Sequence, residues 1–224
     1  MKVTWLGQAG LYIETESARI LIDPYFSDSV AKAEPQNRRR MPKPPRELAI
    51  EPDVLIVTHD HLDHYDPETV PQLLAGKDAM AVLCPQSCWA KARANGGKHN
   101  YILFPPGTQW TEKGVRFTAV PAVHSDPHAI GVFVDDGRRR LYITGDTLYS
   151  EHIFSALPKD PDAVFLPING RGNNMNARDA ARFARDCGAK LAVPIHWGMF
   201  DDIDPRTLPF EPKKIPDIYA QMLF

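Results

Sequence analysis

The chain has 224 residues, 43% hydrophobic and 24% charged, with a formal net charge of −2, a composition typical of folded globular chains and far from disorder. That charge balance gives no electrostatic reason to expect a nucleic-acid partner. No apolar run approaches the ~20 residues of a membrane span, and "MKVTWLGQAG" starts like a strand, with one lysine and no long apolar core, so a secretory leader is not expected.

In chain order, "KVTWLGQ", "GLYIET" and "ARILID" are short apolar-rich segments separated by Gly, Glu and Ser, the pattern of an antiparallel meander. The proline- and arginine-rich stretch from Lys32 to Leu48 has almost no apolar periodicity and reads as a long connection that could serve as a binding loop or lid over a site. "DVLIVTH" and "AMAVLCP" are β-branched runs of strands buried on both faces. Between them "DPETVPQLLAG" predicts a helix with Asp66 as N-cap, Pro67 at its first position and Gly76 at its end. A second helix is expected around Ser87–Ala94.

The grammar then starts again. "TQWTE", "VRFTAVPAVH", "AIGVFVDD" and "RRLYITGD" read as strands, followed by a helix near Tyr149–Leu157, the strand "DAVFLPIN", a helix from Asn176 to Cys187 and the strand "KLAVPIH". Two halves, each a meander followed by alternating strands and helices, imply an α/β fold with two mixed sheets packed face to face and helices outside, all within one domain spanning 1–224. Cys84, Cys88 and Cys187 contain no CxxC pair and are expected as free thiols of a reducing, cytoplasmic setting.

One stretch carries chemistry. "VTHDHLDHYD" places three histidines and three aspartates within residues 59–66, directly after a buried strand. A core has no use for them, because polar groups taken out of water cost free energy unless each finds a partner. A metal centre uses them all. Residues two apart on an extended strand end point the same way, so His59 and His61 converge on one ion, while Asp63 and His64 face a second from the following turn. His124, Asp146 and His196 each close an apolar strand and complete the set. His59, His61 and His124 make one three-imidazole site; Asp63, His64 and His196 make the other, with Asp146 bridging. Nitrogen and oxygen ligands without cysteine suit Zn²⁺ or Mn²⁺, and Fe²⁺ also fits.

Two such ions ~3.5–4 Å apart hold a bridging water and lower its pKa from 15.7 toward 7, which makes it a nucleophile for a carbonyl carbon or a phosphorus. Asp60 is expected to orient a ligand imidazole. In "INGRGNNMNARDAA" a Gly-rich turn precedes a helix capped by Asn176, so Arg171, Asn169, Asn173 and exposed backbone N–H groups are candidates for an anionic substrate. His128, four residues after His124, is a candidate proton donor or substrate contact. Arg38, Arg39, Arg40 and Lys43 of the proline-rich loop would add positive charge if the loop covered the site.

H-x-H-x-D-H after a buried strand, a later strand-end His, a "GD" and a final "PIHW" resemble the metallo-β-lactamase fold superfamily. More narrowly, "WLGQAGLYIET", "ILIDPYF", "VPAVHSDPHAIG" and "FLPINGRGNNMNARDAA" are similar to its ascorbate-6-phosphate lactonase-like branch, over about residues 2–200. The resemblance implies a four-layer αβ/βα sandwich with two metals at one edge between the sheets, a hydrolase activity often dependent on Mn²⁺ or Zn²⁺, and Asp23, in "LIDP", as a carboxylate supporting a ligand from behind. It favours a small, anionic, phosphorylated lactone or ester as substrate. A phosphodiesterase acting on phospholipid-type or cyclic nucleotide diesters is the alternative, ahead of a nuclease or a non-catalytic metal-binding module. The tail after His196 is shorter than in the lactonase, so that enzyme's substrate-binding and oligomer-forming extensions are not expected, and a homo-oligomer stays open.

Overall fold

The computed structural model describes residues 1–45, 47–76 and 78–224. Arg46, in the proline-rich segment, lies outside the described residues. The elements in chain order are β1 (Lys2–Trp5), β2 (Leu11–Glu14), β3 (Arg19–Ile22), α1 (Ser29–Ala33), β4 (Val54–Ile56), α2 (Thr69–Leu74), β5 (Ala81–Cys84), α3 (Gln86–Ala94) and β6 (Asn100–Leu103). They continue with β7 (Gln109–Glu112), β8 (Val115–Pro121), β9 (Ile130–Asp135), β10 (Arg140–Ile143), α4 (Glu151–Phe154), β11 (Ala163–Pro167), α5 (Ala177–Asp186), β12 (Ala192–Ile195) and β13 (Gln221–Leu223).

Among the described residues the strands form two sheets, ordered β13-β1-β2-β3-β4-β5-β6 and β12-β11-β10-β9-β8-β7. In each, an antiparallel meander passes into parallel pairs, β3-β4-β5-β6 and β10-β11-β12. Residue alternation sets the layers. Val3, Trp5, Leu11, Ile13, Ile20, Ile22, Val54 and Ile56 face Phe117, Ile130, Val132, Ile143 and Phe165 across the inter-sheet core. Their neighbours Tyr12, Leu21 and Leu55 point the other way and are covered by Val70, Leu74, Cys88 and Ala92 of α2 and α3. On the far side Phe133, Tyr142 and Val164 are covered by Ala180, Phe183 and Ala184 of α5. The result is the αβ/βα sandwich expected. Each fully buried Val, Ile, Leu or Phe contributes ~1.5–3 kcal/mol, so the three apolar layers supply the main driving force.

Strand direction positions the site. β1 and β3 are both antiparallel to β2, β4 is parallel to β3, and β8 runs with β10, β11 and β12. The C-terminal ends of all these strands therefore open toward the same edge of the sandwich.

Several expectations need correction. α2 starts at Thr69, not Pro67, because the Asp66 carboxylate accepts from the N–H groups of Phe26, Ser27 and Glu68 and from the Ser27 and Thr69 hydroxyls, which holds residues 66–68 in a turn. The helix expected over Tyr149–Leu157 shrinks to α4. β6 and the edge strand β13 have no counterpart among the predicted elements. The three cysteines are free and buried, and burial pushes the Cys84 thiol up to about 12. Among the described residues no helix is long and apolar enough to cross a membrane.

Candidate metal centre

Four strand ends deliver the ligand candidates. His59, His61, Asp63 and His64 follow β4, His124 follows β8, Asp146 follows β10 and His196 follows β12. Asp146 is aimed by Gly145, whose backbone is left-handed (φ +61°) and where a Cβ would stand 2.6 Å from the Ile130 carbonyl oxygen; only glycine fits there. Of the seven non-glycine residues at positive φ among the described residues, four lie at this edge: Gln8 (51°), Asp23 (45°), Asn173 (62°) and His196 (57°). Strain of this kind persists only where the surroundings fix it, and it concentrates at functional sites.

The donors converge in the sets expected. His59, His61 and His124 bring ring nitrogens within 4.8 Å of one another, an Asp63 carboxylate oxygen and ring nitrogens of His64 and His196 do the same, and Asp146 joins His59 and His64 between them. The spacing is that of ligands around an ion. Bonds of ~2.0–2.2 Å put tetrahedral donors ~3.3–3.6 Å apart. His61 Nδ1 lies 3.1 Å from His59 Nε2 and 3.2 Å from His124 Nε2. His196 Nε2 lies 3.0 Å from Asp146 Oδ2 and 3.4 Å from Asp63 Oδ2, and His64 Nε2 lies 3.4 and 3.8 Å from the same two oxygens. His64 Nε2 is buried without a hydrogen-bond partner, a costly arrangement for a polar atom unless a cation takes its lone pair.

The far side of each ring supports this use. Asp23, fully buried, accepts from His64 Nδ1–H at 2.8 Å, leaving Nε2 for the centre. Its two oxygens also accept from the Thr58 N–H (2.8 Å) and the Thr58 hydroxyl (2.6 Å). The Thr58 oxygen in turn lies 3.0 Å from His59 Nδ1. One carboxylate thus orients two imidazoles. His124 Nδ1–H donates to the Asn173 carbonyl at 3.2 Å. His196 Nδ1 lies 3.0 Å from Asn169 Nδ2, and its Nε2 lies 3.0 Å from both Gln8 Nε2 and Asp146 Oδ2.

The electrostatics are those of a cation-binding pocket. Burial alone would push the His64 and His196 imidazoles down, but the surrounding carboxylates, Asp146 foremost, outweigh it; His64 is held well up and His196 is raised to about 9. Burial would raise Asp63 and Asp146, and the His64 and His196 charges overcome it, holding both carboxyls well down. Burial and the neighbouring His64 push His59 down, and burial pushes His124 down, so both rings tend to be neutral. Neutral imidazoles and ionised carboxylates are the forms that bind metal.

A cleft of about 440 Å³ opens over the donors, lined by Val30, Glu34, Asn37, Leu62, Asn169, Arg171, Asn173 and Phe200 among others. Arg171, Asn169 and Asn173, the expected substrate contacts, thus line this cleft. Other expectations fail. The Asp60 carboxylate pairs with Lys91 and touches no imidazole. His128 is exposed and absent from the cleft wall, its N–H donating to Asp126. The first-turn N–H groups of Arg178 and Asp179 are already taken by the Asn176 cap, so they offer nothing to an anion. The proline-rich loop is strapped down, not draped over the site: the Arg39 side chain, 5% exposed, donates to the Tyr25 and Ser27 carbonyls, Arg40 pairs with Asp202, Lys43 pairs with Asp28, and Arg38 does not line the cleft. Among its described residues only Glu34 and Asn37, at its start, reach the cleft.

Three polar residues went unnoticed in the sequence. Gln8 follows the C-terminal end of β1, and its Nε2 donates to Asp63 Oδ2 at 2.8 Å. Asn174 donates from Nδ2 to Asp146 Oδ2 at 2.7 Å. Asp126 accepts from the Asp60 N–H and the Ser87 hydroxyl, tying the His61 loop to the His124 loop. For Gln8 the signal was available: it is a polar residue just past a strand that runs toward the ligand edge.

Comparison with known proteins agrees with this arrangement. The family model described as a beta-lactamase superfamily domain matches residues 18–197. A Methanopyrus kandleri protein named as a UPF0173 metal-dependent hydrolase is 27% identical, over 91% of this chain and 87% of its own. The mitochondrial N-acyl-phosphatidylethanolamine-hydrolyzing phospholipase D of Saccharomyces cerevisiae is 26% identical over 88% of this chain but 47% of its own length. The crystal structure of an isothiocyanate hydrolase from Delia radicum gut bacteria shares the fold, with TM-score 0.76, 21% identity and coverage of 100% and 99% of the two chains. The chain spans 59% of the length of the first curated relatives it matches.

Proposed function

The chain belongs to the beta-lactamase superfamily, and from that footing we propose that it is a binuclear metal-dependent hydrolase, formed as one domain, that opens or cleaves a small anionic lactone or ester. The observation that carries the reading is the pair of donor sets with tetrahedral spacing, closed around a buried His64 Nε2 that has no other partner. His59, His61 and His124 would hold one divalent ion; Asp63, His64 and His196 would hold the other, with Asp146 shared. Zn²⁺ and Mn²⁺ suit these nitrogen and oxygen donors. Bound there, such ions supply an activated water and a Lewis acid for the oxygen that gains charge.

The chain's own groups do the rest. Asp23 fixes the His64 tautomer, and the Asn173 carbonyl does the same for His124. The ordinary pKa of a free carboxylate being ~4, the depressed Asp63 and Asp146 stay anionic throughout neutral pH. The apolar wall of Val30, Leu62 and Phe200 excludes water from one side of the cleft. Among the cationic side chains the substrate's charge rests on Arg171, which lines the cleft and makes no ion pair among the described residues, since the loop arginines point elsewhere. Two divalent ions would bring +4 against −2 from Asp63 and Asp146, which also draws an anion.

A phosphodiester is the second reading, favoured by similarity to a relative named for hydrolysing N-acyl-phosphatidylethanolamine. A panel of lactones, phosphodiesters and thioesters, assayed with Zn²⁺, Mn²⁺ and Fe²⁺, separates the two. The expected outcome is metal-dependent turnover of anionic lactones or esters, with Arg171→Ala reducing their advantage over neutral isosteres by about 1.5–3 kcal/mol. Equal rates on charged and neutral substrates, insensitive to salt, would retire the anionic assignment.

A further inference from the structure

We infer that Gln8 and Asn174 are a matched pair of positioning residues, each using one amide N–H to fix one of the two carboxylates on which the metal centre would turn; the inference rests on the metal-centre reading above. The two contacts come from unrelated parts of the chain, and Gln8 Nε2 also lies 3.0 Å from His196 Nε2 and 3.2 Å from its Nδ1, in the same donor set as Asp63. Gln8 Nε2 donates to Asp63 Oδ2 at 2.8 Å, and Asn174 Nδ2 donates to Asp146 Oδ2 at 2.7 Å. Both residues are at least 95% buried, with 2% and 5% of their surface exposed. Both line the cleft.

The oxygens they grip are the ones that face the imidazoles. Asp63 Oδ2 and Asp146 Oδ2 stand 3.4 and 3.0 Å from His196 Nε2. A carboxylate oxygen has two lone pairs. An amide donor on one of them stops the group from swinging about its Cβ–Cγ bond and leaves the other lone pair directed at the ion. A neutral donor is suited to this task, because it restrains the anion without cancelling the charge that attracts the metal. A lysine at either place would cancel it.

The Asn174 amide is held against reversal, and the Gln8 backbone is fixed in place. Asn174 Oδ1 is buried without a partner, yet turning the amide over would press that oxygen against the Asp146 carboxylate. Its backbone N–H donates to the Arg171 carbonyl, and the next residue's N–H donates to Thr147, beside Asp146. The Gln8 backbone is braced through its main-chain carbonyl, which accepts from the Trp5 indole at 2.9 Å and from the His196 backbone N–H at 2.9 Å. That second bond joins two left-handed residues, Gln8 at φ 51° and His196 at φ 57°, so the turn after β1 registers a ligand's backbone as well as another ligand's side chain.

The two contacts predict different signatures, because Asp63 belongs to one donor set while Asp146 is shared. Zn²⁺ titration against a competing chelator, on chelator-stripped protein, reads both ions, and Co²⁺ absorption bands report their coordination. In the wild type two ions bind. Gln8→Gly, which tolerates the left-handed backbone, and Gln8→Met, which keeps the bulk, should each weaken one ion by about 10–100-fold, leave the other within about threefold and alter one set of Co²⁺ bands. Asn174→Leu should weaken both ions together. Circular dichroism before titration identifies any variant that fails to fold, and the two Gln8 variants stress the fold in opposite ways, so a shared one-ion loss is not a packing effect. Two ions in the wild type with both affinities unchanged in the variants, or lowered equally in the Gln8 variants, would overturn the assignment of the amides alone. No ions in the wild type would overturn the centre and this inference with it.

Discussion

Replacing Asp23 with Asn tests how the centre is held. Asp23 is fully buried and accepts three hydrogen bonds, from the Thr58 N–H at 2.8 Å on Oδ1 and from the Thr58 hydroxyl at 2.6 Å and His64 Nδ1–H at 2.8 Å on Oδ2. The substitution keeps the shape, and asparagine tolerates the left-handed φ of 45° there. One oxygen becomes a donor. If the amide oxygen keeps the Thr58 N–H, the new NH₂ faces His64 Nδ1, which must then accept, and the ring's proton moves to Nε2, the atom the ion needs. If the amide is reversed, the NH₂ faces the Thr58 N–H and that bond is lost. Each lost bond to a charged partner is worth about 1.5–3 kcal/mol, so chelator-stripped protein should lose about that much stability in urea unfolding. Supporting carboxylates of this kind change metal affinity by about 10–100-fold, or about 1.4–2.7 kcal/mol, and the loss should fall on the ion held by His64. Zn²⁺ titration reads it directly. A variant that is destabilised yet binds both ions with wild-type affinity would show that Asp23 supports the fold and not the imidazoles.

Other expectations follow from the same geometry. In chelator-stripped protein His196 is raised to about 9 by Asp146 and Asp63 against the opposing effect of burial, so at pH 7 an ion must displace a proton; apparent Zn²⁺ affinity should climb as pH rises toward 9 and flatten above it. The same raised value stabilises the metal-free fold fully below the unfolded pKa of ~6.5, and that contribution is lost as pH rises through about 9; a calorimetric melting temperature that is flat across this window would contradict it. Asp146→Asn should lower affinity for both ions together, and loss of one ion with the other held normally would make Asp146 a terminal ligand. Arg39→Met removes the donors to the Tyr25 and Ser27 carbonyls and the guanidinium stacked 4.4 Å over the Tyr25 ring, so stability should fall by about 2–4 kcal/mol and residues 35–45 should become easier to cleave by protease.

The layers were legible because alternation is a local signal: Val3 and Trp5, Leu11 and Ile13, Ile20 and Ile22 reveal one face of a sheet without any tertiary information. The candidate ligands were legible for a related reason. His59, His61, Asp63, His64, His124, Asp146 and His196 are polar residues that interrupt or close apolar strands, and the strand directions bring those ends together. What stayed hidden depends on partners distant in sequence. β6 alternates weakly, with exposed Asn100 and Leu103, and exists because it pairs with β5. β13 is three residues long and is made by β1. Asp60 sits in the motif yet faces Lys91 of α3, whereas Asp126, which looks like an ordinary turn residue, holds the Asp60 backbone. The charge of the proline-rich loop suggested a cover over the site, and carbonyl acceptors on Tyr25 and Ser27 drew Arg39 inward instead.

The central claim, two ions held side by side, is tested most directly by anomalous diffraction at the zinc edge from crystals grown with Zn²⁺. Two peaks ~3.5–4 Å apart are expected. One should lie ~2.0–2.1 Å from His59 Nε2, His61 Nδ1 and His124 Nε2. The other should lie at similar distances from His64 Nε2, His196 Nε2 and Asp63, with Asp146 reaching both. A single peak, or peaks away from these seven residues, would contradict the account.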